Sequence, residues 1–177
     1  FGTAIMYLPF FFVGHLMACV FGYPMDGFSL PYQIAIGIGT LSYVLLGLWF
    51  LRKILLEFFD ERLTALLLII VALGTNYFHF MSVKTTASAN YIFFLVTLII
   101  WFTIKWHQNQ KLKYLGIVAG SIALLTLVKP SEIIVGLVFV FWGVGSFSDL
   151  RKKIQLLINS RRQVLLALLI SFIVFLP

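Results

Sequence analysis

Residues 34–51 read IAIGIGTLSYVLLGLWFL, a stretch without a single charged side chain that ends at the cations Arg52 and Lys53. A helix needs about 20 mainly apolar residues to cross a membrane, and lengths of about 17–25 are tolerated. The stretch does not alternate apolar and polar residues as a transmembrane strand would. It therefore predicts a membrane-spanning α-helix.

Apolar runs of this kind recur about seven times along the 177 residues, with polar residues between them. The first three runs are long enough to span, and the next three require flanking Trp, Tyr and Lys side chains to complete the crossing. We expect an all-α fold, a polytopic transmembrane bundle of about six to seven hydrophobic helices, in a single domain over 1–177. The runs cover residues 3–22, 34–51, 63–81, 89–104, 114–128, 133–147 and 164–176.

The composition excludes a soluble globular domain. Of all residues, 62% are hydrophobic and only 11% are charged, whereas soluble domains are about one quarter charged. The net charge of +7 could suggest nucleic acid as a partner, but the basic residues lie in short groups between apolar runs. That placement is typical of cytoplasmic loops, so we expect membrane lipid and no nucleic acid as partner.

The basic residues also predict the orientation of the chain. Eleven of the 13 lysines and arginines lie in the connections at 52–62, 105–113 and 151–162, and the other two are Lys84 and Lys129. The positive-inside rule therefore places the first three connections in the cytoplasm. The linkers at 22–33, 82–90 and 129–132 are then expected to face outward.

Residues 149–163 are expected to form an amphipathic helix on the cytoplasmic face. Ile154, Leu157 and Ile158 fall at helical spacing, and basic residues occupy the rest of its surface. An anchor in the inner leaflet is the interpretation that we favour over a nucleic-acid contact.

The first two outward linkers carry polar residues that could belong to a site. The first, GYPMDGFSLPYQ at 22–33, contains one acid, Asp26, which is either a solvated loop residue or a ligand for a cation or a sugar hydroxyl. The second, at 76–91, contains His79 and Lys84. Ionisable groups at membrane depth tend to mark a cavity, although a histidine hydrogen-bonded at the interface is the simpler alternative.

The third outward linker contains Lys129, followed by Pro130 and Glu132. Proline is well suited to start a helix, and a cation beside the free N-terminal amides would form an anion site that fits a phosphate. A simple ion pair between Lys129 and Glu132 is an equally good interpretation. The chain has no nucleotide-binding loop, nucleophile elbow or metal-ligand spacing, so we expect no metal site.

The order of these parts resembles the GT-C superfamily of membrane glycosyltransferases, which includes the protein O-mannosyltransferases and the lipid A aminoarabinose transferases. The Pro-containing run MYLPFFFVGHLMACVFG at 6–22 is similar to the family's stretch after its first large outer loop. A helix then ends at Leu51-Arg52-Lys53, before the turn at 60–62. The segment ALLTLVKPSE at 123–132 is similar to the family's leucine-rich run followed by a cation and proline.

The resemblance implies a polyprenyl-phosphate-linked sugar donor and transfer on the outer face, in a bacterial inner membrane. We expect this chain to be an internal part of a longer protein, and the resemblance implies that the main catalytic aspartate precedes Phe1. Asp26 is implied as catalytic only if the alignment is displaced by one helix. Lys129 is implied as the partner of the lipid phosphate, with His79 and Lys84 as weaker candidates. Residues 88–90 hold no acid, which leaves a divalent cation open and no cofactor certain.

Two other classes remain open from the residues alone. A secondary transporter would also be polytopic, although it should show paired broken helices and internal repeats. A non-catalytic membrane subunit or scaffold would use the same Phe-rich helices only to pack.

Overall fold

A computed structural model describes residues 1–82, 84 and 86–176, and over these residues the chain is helical and contains no strand. The all-α class predicted from the sequence is therefore confirmed. The chain divides into two compact units, 1–94 and 95–177. The helices are α1 (Gly2–Phe21), α2 (Leu30–Leu55), α3 (Glu61–Gly74), α4 (Tyr77–Ser82), α5 (Ser88–Asn109), α6 (Leu112–Val128), a 3-10 helix (Pro130–Val135), α7 (Gly136–Phe141), α8 (Phe147–Asn159) and α9 (Arg161–Phe175).

Three helices are long and apolar enough to cross a membrane, namely α1, α2 and α5. A fourth span results only if α8 and α9, which meet at a bend of 78°, are counted as one broken span. Two further apolar stretches, α6 and Pro130–Phe141, are shorter than a full crossing. The structure thus supports three or four spans, rather than the six to seven expected.

Part of the difference between the expected and the observed number of spans arises at Thr75, which interrupts the third apolar run. Its Oγ1 donates a hydrogen bond to the Val71 carbonyl (2.7 Å) and accepts one from the Tyr77 amide (3.1 Å). The backbone of Thr75 is extended, with φ −114° and ψ 169°. A side chain that bonds to the backbone in this way competes with the helix ladder, so the run becomes the short helices α3 and α4.

In the first unit, α1 and α2 pack closely through small residues. Gly14 of α1 lies against the backbone of α2, and a Cβ atom at this position would be 2.9 Å from the Tyr32 Cα. Gly39 of α2 accommodates the Phe10 ring in the same way. Small residues at such contacts let two helices approach where the bilayer supplies no hydrophobic drive. Pro9 does not end α1, which continues through it to Phe21.

The start of α5 joins this pair through buried hydroxyl groups. The Tyr91 hydroxyl lies 2.6 Å from the Thr40 Oγ1, which itself donates to the Ile36 carbonyl (2.9 Å). The Tyr91 ring packs edge-on against Tyr7 and Tyr43, with centroids 5.3 and 5.4 Å away. Each of these buried hydroxyls therefore has the partner that an apolar environment demands.

The second unit is organised around the buried residues Trp106, Leu115 and Ala167. Helices α6 and α9 pack lengthwise, and Leu156 of α8 adds to this core. The amphipathic helix predicted at 149–163 is present as α8 only up to Asn159, because residues 161–163 already belong to α9. Two of its expected apolar residues, Ile154 and Ile158, are 48% and 61% exposed. The side chain of the third, Leu157, lies outside those that the structure describes. The two isoleucines therefore lie on the face of α8 that points away from this core.

Candidate functional site

Asp26 organises the loop between α1 and α2. Its Oδ1 accepts hydrogen bonds from the amides of Phe28 (2.8 Å) and Ser29 (2.9 Å), the pattern of an Asx turn. The Ser29 hydroxyl donates to the Pro24 carbonyl (2.9 Å), which closes the loop. The Oδ2 of Asp26 has no hydrogen bond within the described part of the chain. One carboxylate oxygen therefore shapes the loop, and the other is available to a ligand.

This loop folds back over α1, and the two together line an open apolar cavity of about 500 Å³. The α1 residues in its wall recur at helical spacing, so they lie on one face of the helix. Asp26 is the only carboxylate among the described residues of the wall. The wall is formed by Ala4, Tyr7, Leu8, Phe11, Asp26, Gly27, Phe28 and Ile36.

The hydrogen bonds from Phe28, and then from Ser29, lower the pKa of Asp26 from its ordinary value of 3.8. The carboxylate is therefore ionised throughout the neutral range. The stabilisation that these bonds give to the loop is present above the ordinary value, and it is lost as the pH falls through the lowered pKa. A general base works best with a pKa near the working pH, so Asp26 is better suited to hold a hydroxyl than to remove its proton.

His79 and Lys84 lie together at the second linker. The Lys84 amide donates to the His79 carbonyl (3.1 Å), and both side chains are exposed. Thr86 continues the linker, and its carbonyl accepts a hydrogen bond of 2.7 Å from the hydroxyl of Tyr7. The linker is thereby tied to a residue of the cavity wall.

The two linkers contact α1 about one helical turn apart, the first at Phe11 and the second at Tyr7. Tyr7 precedes Phe21, the last residue of α1, by fourteen positions, which is about 21 Å at about 1.5 Å per residue. If α1 crosses a bilayer with a hydrocarbon core of about 30 Å, the Thr86 carbonyl lies well inside that core. Irregular backbone is tolerated at such depth only where protein buries it or where it lines a hydrated cavity. The hydrogen bond from the Tyr7 hydroxyl gives the Thr86 carbonyl such a protein partner.

Lys129 belongs to the second unit and is paired. Its Nζ lies 2.6 Å from Oε1 of Glu132, as the ion-pair interpretation predicts, and the Lys129 side chain remains 54% exposed. Pro130 begins a six-residue 3-10 helix rather than an α-helix, and the Glu132 amide already bonds to the Lys129 carbonyl (3.0 Å). The expected row of free amides is therefore not formed, and any anion at Lys129 would be held by the ammonium group.

Metal binding finds little support in the described residues, among which no three His, Cys, Asp or Glu side chains form a group that could hold an ion. Asp26 lines the cavity without a second carboxylate. A divalent cation at Asp26 would have to take the remaining ligands from elsewhere.

The cavity wall includes residues that the sequence did not single out, above all Tyr7 and Phe11. Their spacing along α1 was visible, but an aromatic pair at helical spacing is more often a packing face. Only the return of the loop at 26–28 over α1 makes this face part of a cavity. Phe11 contacts the loop directly, at 3.5 Å from the position of a Cβ on Gly27.

Comparison of the chain with known protein families, with curated proteins and with solved structures found no match. The roles of Asp26, His79, Lys84 and Lys129 therefore rest on their geometry and on the resemblance in the order of parts described above.

Proposed function

We propose that this chain is an integral membrane glycosyltransferase that uses a polyprenyl-phosphate-linked sugar as its donor. The observation that carries the proposal is the apolar cavity at the loop of Asp26, in which one carboxylate faces a wall of aromatic and aliphatic side chains. An isoprenoid chain matches such a wall, and a carboxylate is a strong acceptor for a sugar hydroxyl.

In this proposal Asp26 orients the sugar and does not bind the phosphate, since two anions would repel each other. Phe11 and Phe28 offer apolar faces to the sugar ring or to the first isoprene units. The phosphate then requires a cation, for which Lys84 with His79 are the candidates in the same unit, and Lys129 of the second unit is a separate candidate for binding a lipid phosphate. Developing negative charge on the leaving phosphate would be stabilised by such a cation.

Orientation and location belong to the same proposal. We place α1, α2 and α5 across a membrane, in bacteria the inner one, with the basic connections in the cytoplasm. The shorter apolar stretches would complete the six to seven expected helices as partial or tilted crossings. The loop of Asp26 would then open to the outer face, where the resemblance implies that the sugar is transferred.

Single-cysteine labelling tests this orientation. In a Cys19→Ala background, which removes the one free and exposed thiol, an impermeant maleimide should label Tyr23→Cys, an exposed position at the start of the loop of Asp26, from outside the cell. Lys113→Cys, at an exposed position in the first turn of α6, should react only after the membrane is permeabilised. Labelling in the reverse order would overturn the orientation and the outer-face site together.

Substitutions of Asp26 test the function. Asp26→Asn keeps an oxygen that can accept from the Phe28 and Ser29 amides, so the loop should stay in place while the charge is lost. We expect this variant to bind polyprenyl phosphate mannose about fivefold more weakly, because a hydrogen bond to a charged acceptor becomes a neutral one. Asp26→Ala should bind still more weakly, because it also releases the loop. Binding is measured with the chain in lipid nanodiscs.

Asp60→Asn is the matched control, since Asp60 is an exposed acid that precedes α3 and does not line the cavity. It should leave binding unchanged. Equal binding by Asp26→Asn, Asp26→Ala and the original chain would remove Asp26 from the site. Absence of any binding by the original chain would favour the non-catalytic membrane subunit.

A further inference from the structure

A second cavity, of about 350 Å³, lies within the second unit and is not part of the proposed donor site. It opens to the surface and is lined by the end of α5, the turn that follows α7 and the inner face of α8. Its wall is formed by His107, Trp142, Gly143, Lys153 and Leu156. This cavity brings a cation and an imidazole together inside an otherwise apolar unit.

We propose that this cavity binds a phosphate group that carries a neighbouring hydroxyl. This chemistry is shared by the head group of a phospholipid such as phosphatidylglycerol and by a soluble glycerol phosphate. The proposal is independent of the proposed function, because it uses neither Asp26 nor Lys129.

Lys153 supplies the positive charge. Although the sequence places it among the basic residues of α8, its side chain turns inward, where the Nζ donates to the Trp142 carbonyl (2.6 Å). An ammonium group has three N–H donors, so two remain after this bond. The Phe139 ring lies 5.9 Å from the Nζ and adds an apolar neighbour. A cation with unused donors in such surroundings favours an anion that accepts from it.

His107 supplies an acceptor. Its Nδ1 lies 2.8 Å from the Thr103 carbonyl, which can only accept, so Nδ1 carries a proton. The Nε2 is buried and has no hydrogen-bond partner among the described residues. In the neutral ring this nitrogen holds a lone pair, and a buried acceptor without a donor is unfavourable. A hydroxyl that enters the cavity beside the ring would provide that donor.

The surroundings of the cavity fit a lipid head group in particular. The outer surface of α8 exposes Ile154 and Ile158. A helix of this kind lies at the level of lipid head groups, with its apolar side chains among the acyl chains. Gly143 adopts φ +73° and lets the chain turn beside the cavity, so that Trp142 and Lys153 can meet.

Native mass spectrometry of the full chain in detergent tests the proposal, with phosphatidylglycerol as the probe and phosphatidylcholine, which lacks the hydroxyl and the net charge, as the reference lipid. Lys153→Met should weaken phosphatidylglycerol binding about tenfold or more, because a charge-assisted contact is lost. His107→Phe keeps the ring packing but removes Nε2, and should weaken binding about threefold or more. Lys153→Arg should restore most of the affinity.

Arg151→Met is the matched control, since Arg151 is an exposed cation on the same helix that does not line the cavity. Its binding should equal that of the original chain. Soluble glycerol 3-phosphate is added as a competitor. Displacement of the lipid by this compound would assign the site to a soluble phosphate, and lipid binding that resists it would assign the site to the bilayer.

Equal binding by the original chain, Lys153→Met and His107→Phe would overturn the proposal, as would a loss of binding in Arg151→Met as large as in Lys153→Met. Circular dichroism identifies any variant that has lost helix. If Lys153→Met has lost helix, the proposal is decided by comparing phosphatidylglycerol binding by His107→Phe with that by Arg151→Met.

Discussion

Replacing Gly14 with leucine should separate α1 from α2 and destabilise the first unit. A Cβ atom at residue 14 would lie 2.9 Å from the Tyr32 Cα, 3.3 Å from the Pro31 carbonyl oxygen and 3.3 Å from the Ala35 Cβ. Two of these three neighbours are backbone atoms, so no side-chain rotation relieves the contact. Overpacking of this kind costs about 1–3 kcal/mol and sometimes more. The loss is measured as the change in unfolding free energy in a denaturing detergent titration.

Gly37→Leu is the control for this prediction. Gly37 lies on α2, in the same helix pair, and a Cβ atom there would meet no other atom within 4 Å. Because leucine also forms helix better than glycine, this variant should be as stable as the original chain or more so. Equal stability of the two leucine variants would mean that α1 and α2 do not depend on close contact at Gly14.

Removing the charge of Lys129 should weaken binding of polyprenyl phosphate about tenfold or more, since charge-assisted contacts to a phosphate are strong. A bound phosphate would have to compete with Glu132 for Lys129, because Oε1 of Glu132 lies 2.6 Å from the Lys129 Nζ. An exposed ion pair contributes little stability, so a phosphate anion can displace the carboxylate. Glu132→Gln should therefore strengthen lipid binding, in the direction opposite to Lys129→Ala.

Lys113→Ala, at an exposed position in the first turn of α6, is the control and should bind polyprenyl phosphate as the original chain does. Opposite effects of Lys129→Ala and Glu132→Gln on lipid binding would identify Lys129 as a phosphate-binding cation rather than only an ion-pair partner of Glu132. If neither Lys129→Ala nor Glu132→Gln alters lipid binding, Lys129 serves only as the partner of Glu132. Nanodisc binding to polyprenyl phosphate without the sugar isolates this contact from the role of Asp26.

The sequence predicted correctly those helices that consist of one long, uninterrupted apolar run. It did not predict the helix ends where a side chain competes with the backbone for hydrogen bonds. The run at 34–51 lies inside α2, which begins earlier because Pro31 occupies its first turn. The run at 63–81 is divided at Thr75, whose hydroxyl bonds to two backbone groups. Such a competition depends on local geometry, which hydropathy does not record.

The candidate residues show the same division. Asp26 could be singled out as the only acid of its loop, but its cavity depends on a loop that returns over α1 at Phe11. Lys153 was grouped with the solvated cations of α8. Its position three residues before Leu156 places both on the inner face of the helix, and only the packing of α8 reveals which face is inner.

The hydroxyl chain from Tyr91 through Thr40 to the Ile36 carbonyl selects one axial alignment of α5 against α2. Sliding either helix by a turn would leave the Tyr91 hydroxyl in hydrocarbon without an acceptor. Hydrogen bonds between helices in membranes contribute only about 0.6–2 kcal/mol to stability, so this contact adds little to the strength of the bundle. Its larger effect is to disfavour other axial alignments of α5 against α2. A single polar residue in the core of a coiled coil sets the register of its helices in the same way. We therefore expect Tyr91→Phe to leave the first unit folded, but to allow α5 to take more than one axial position along α2.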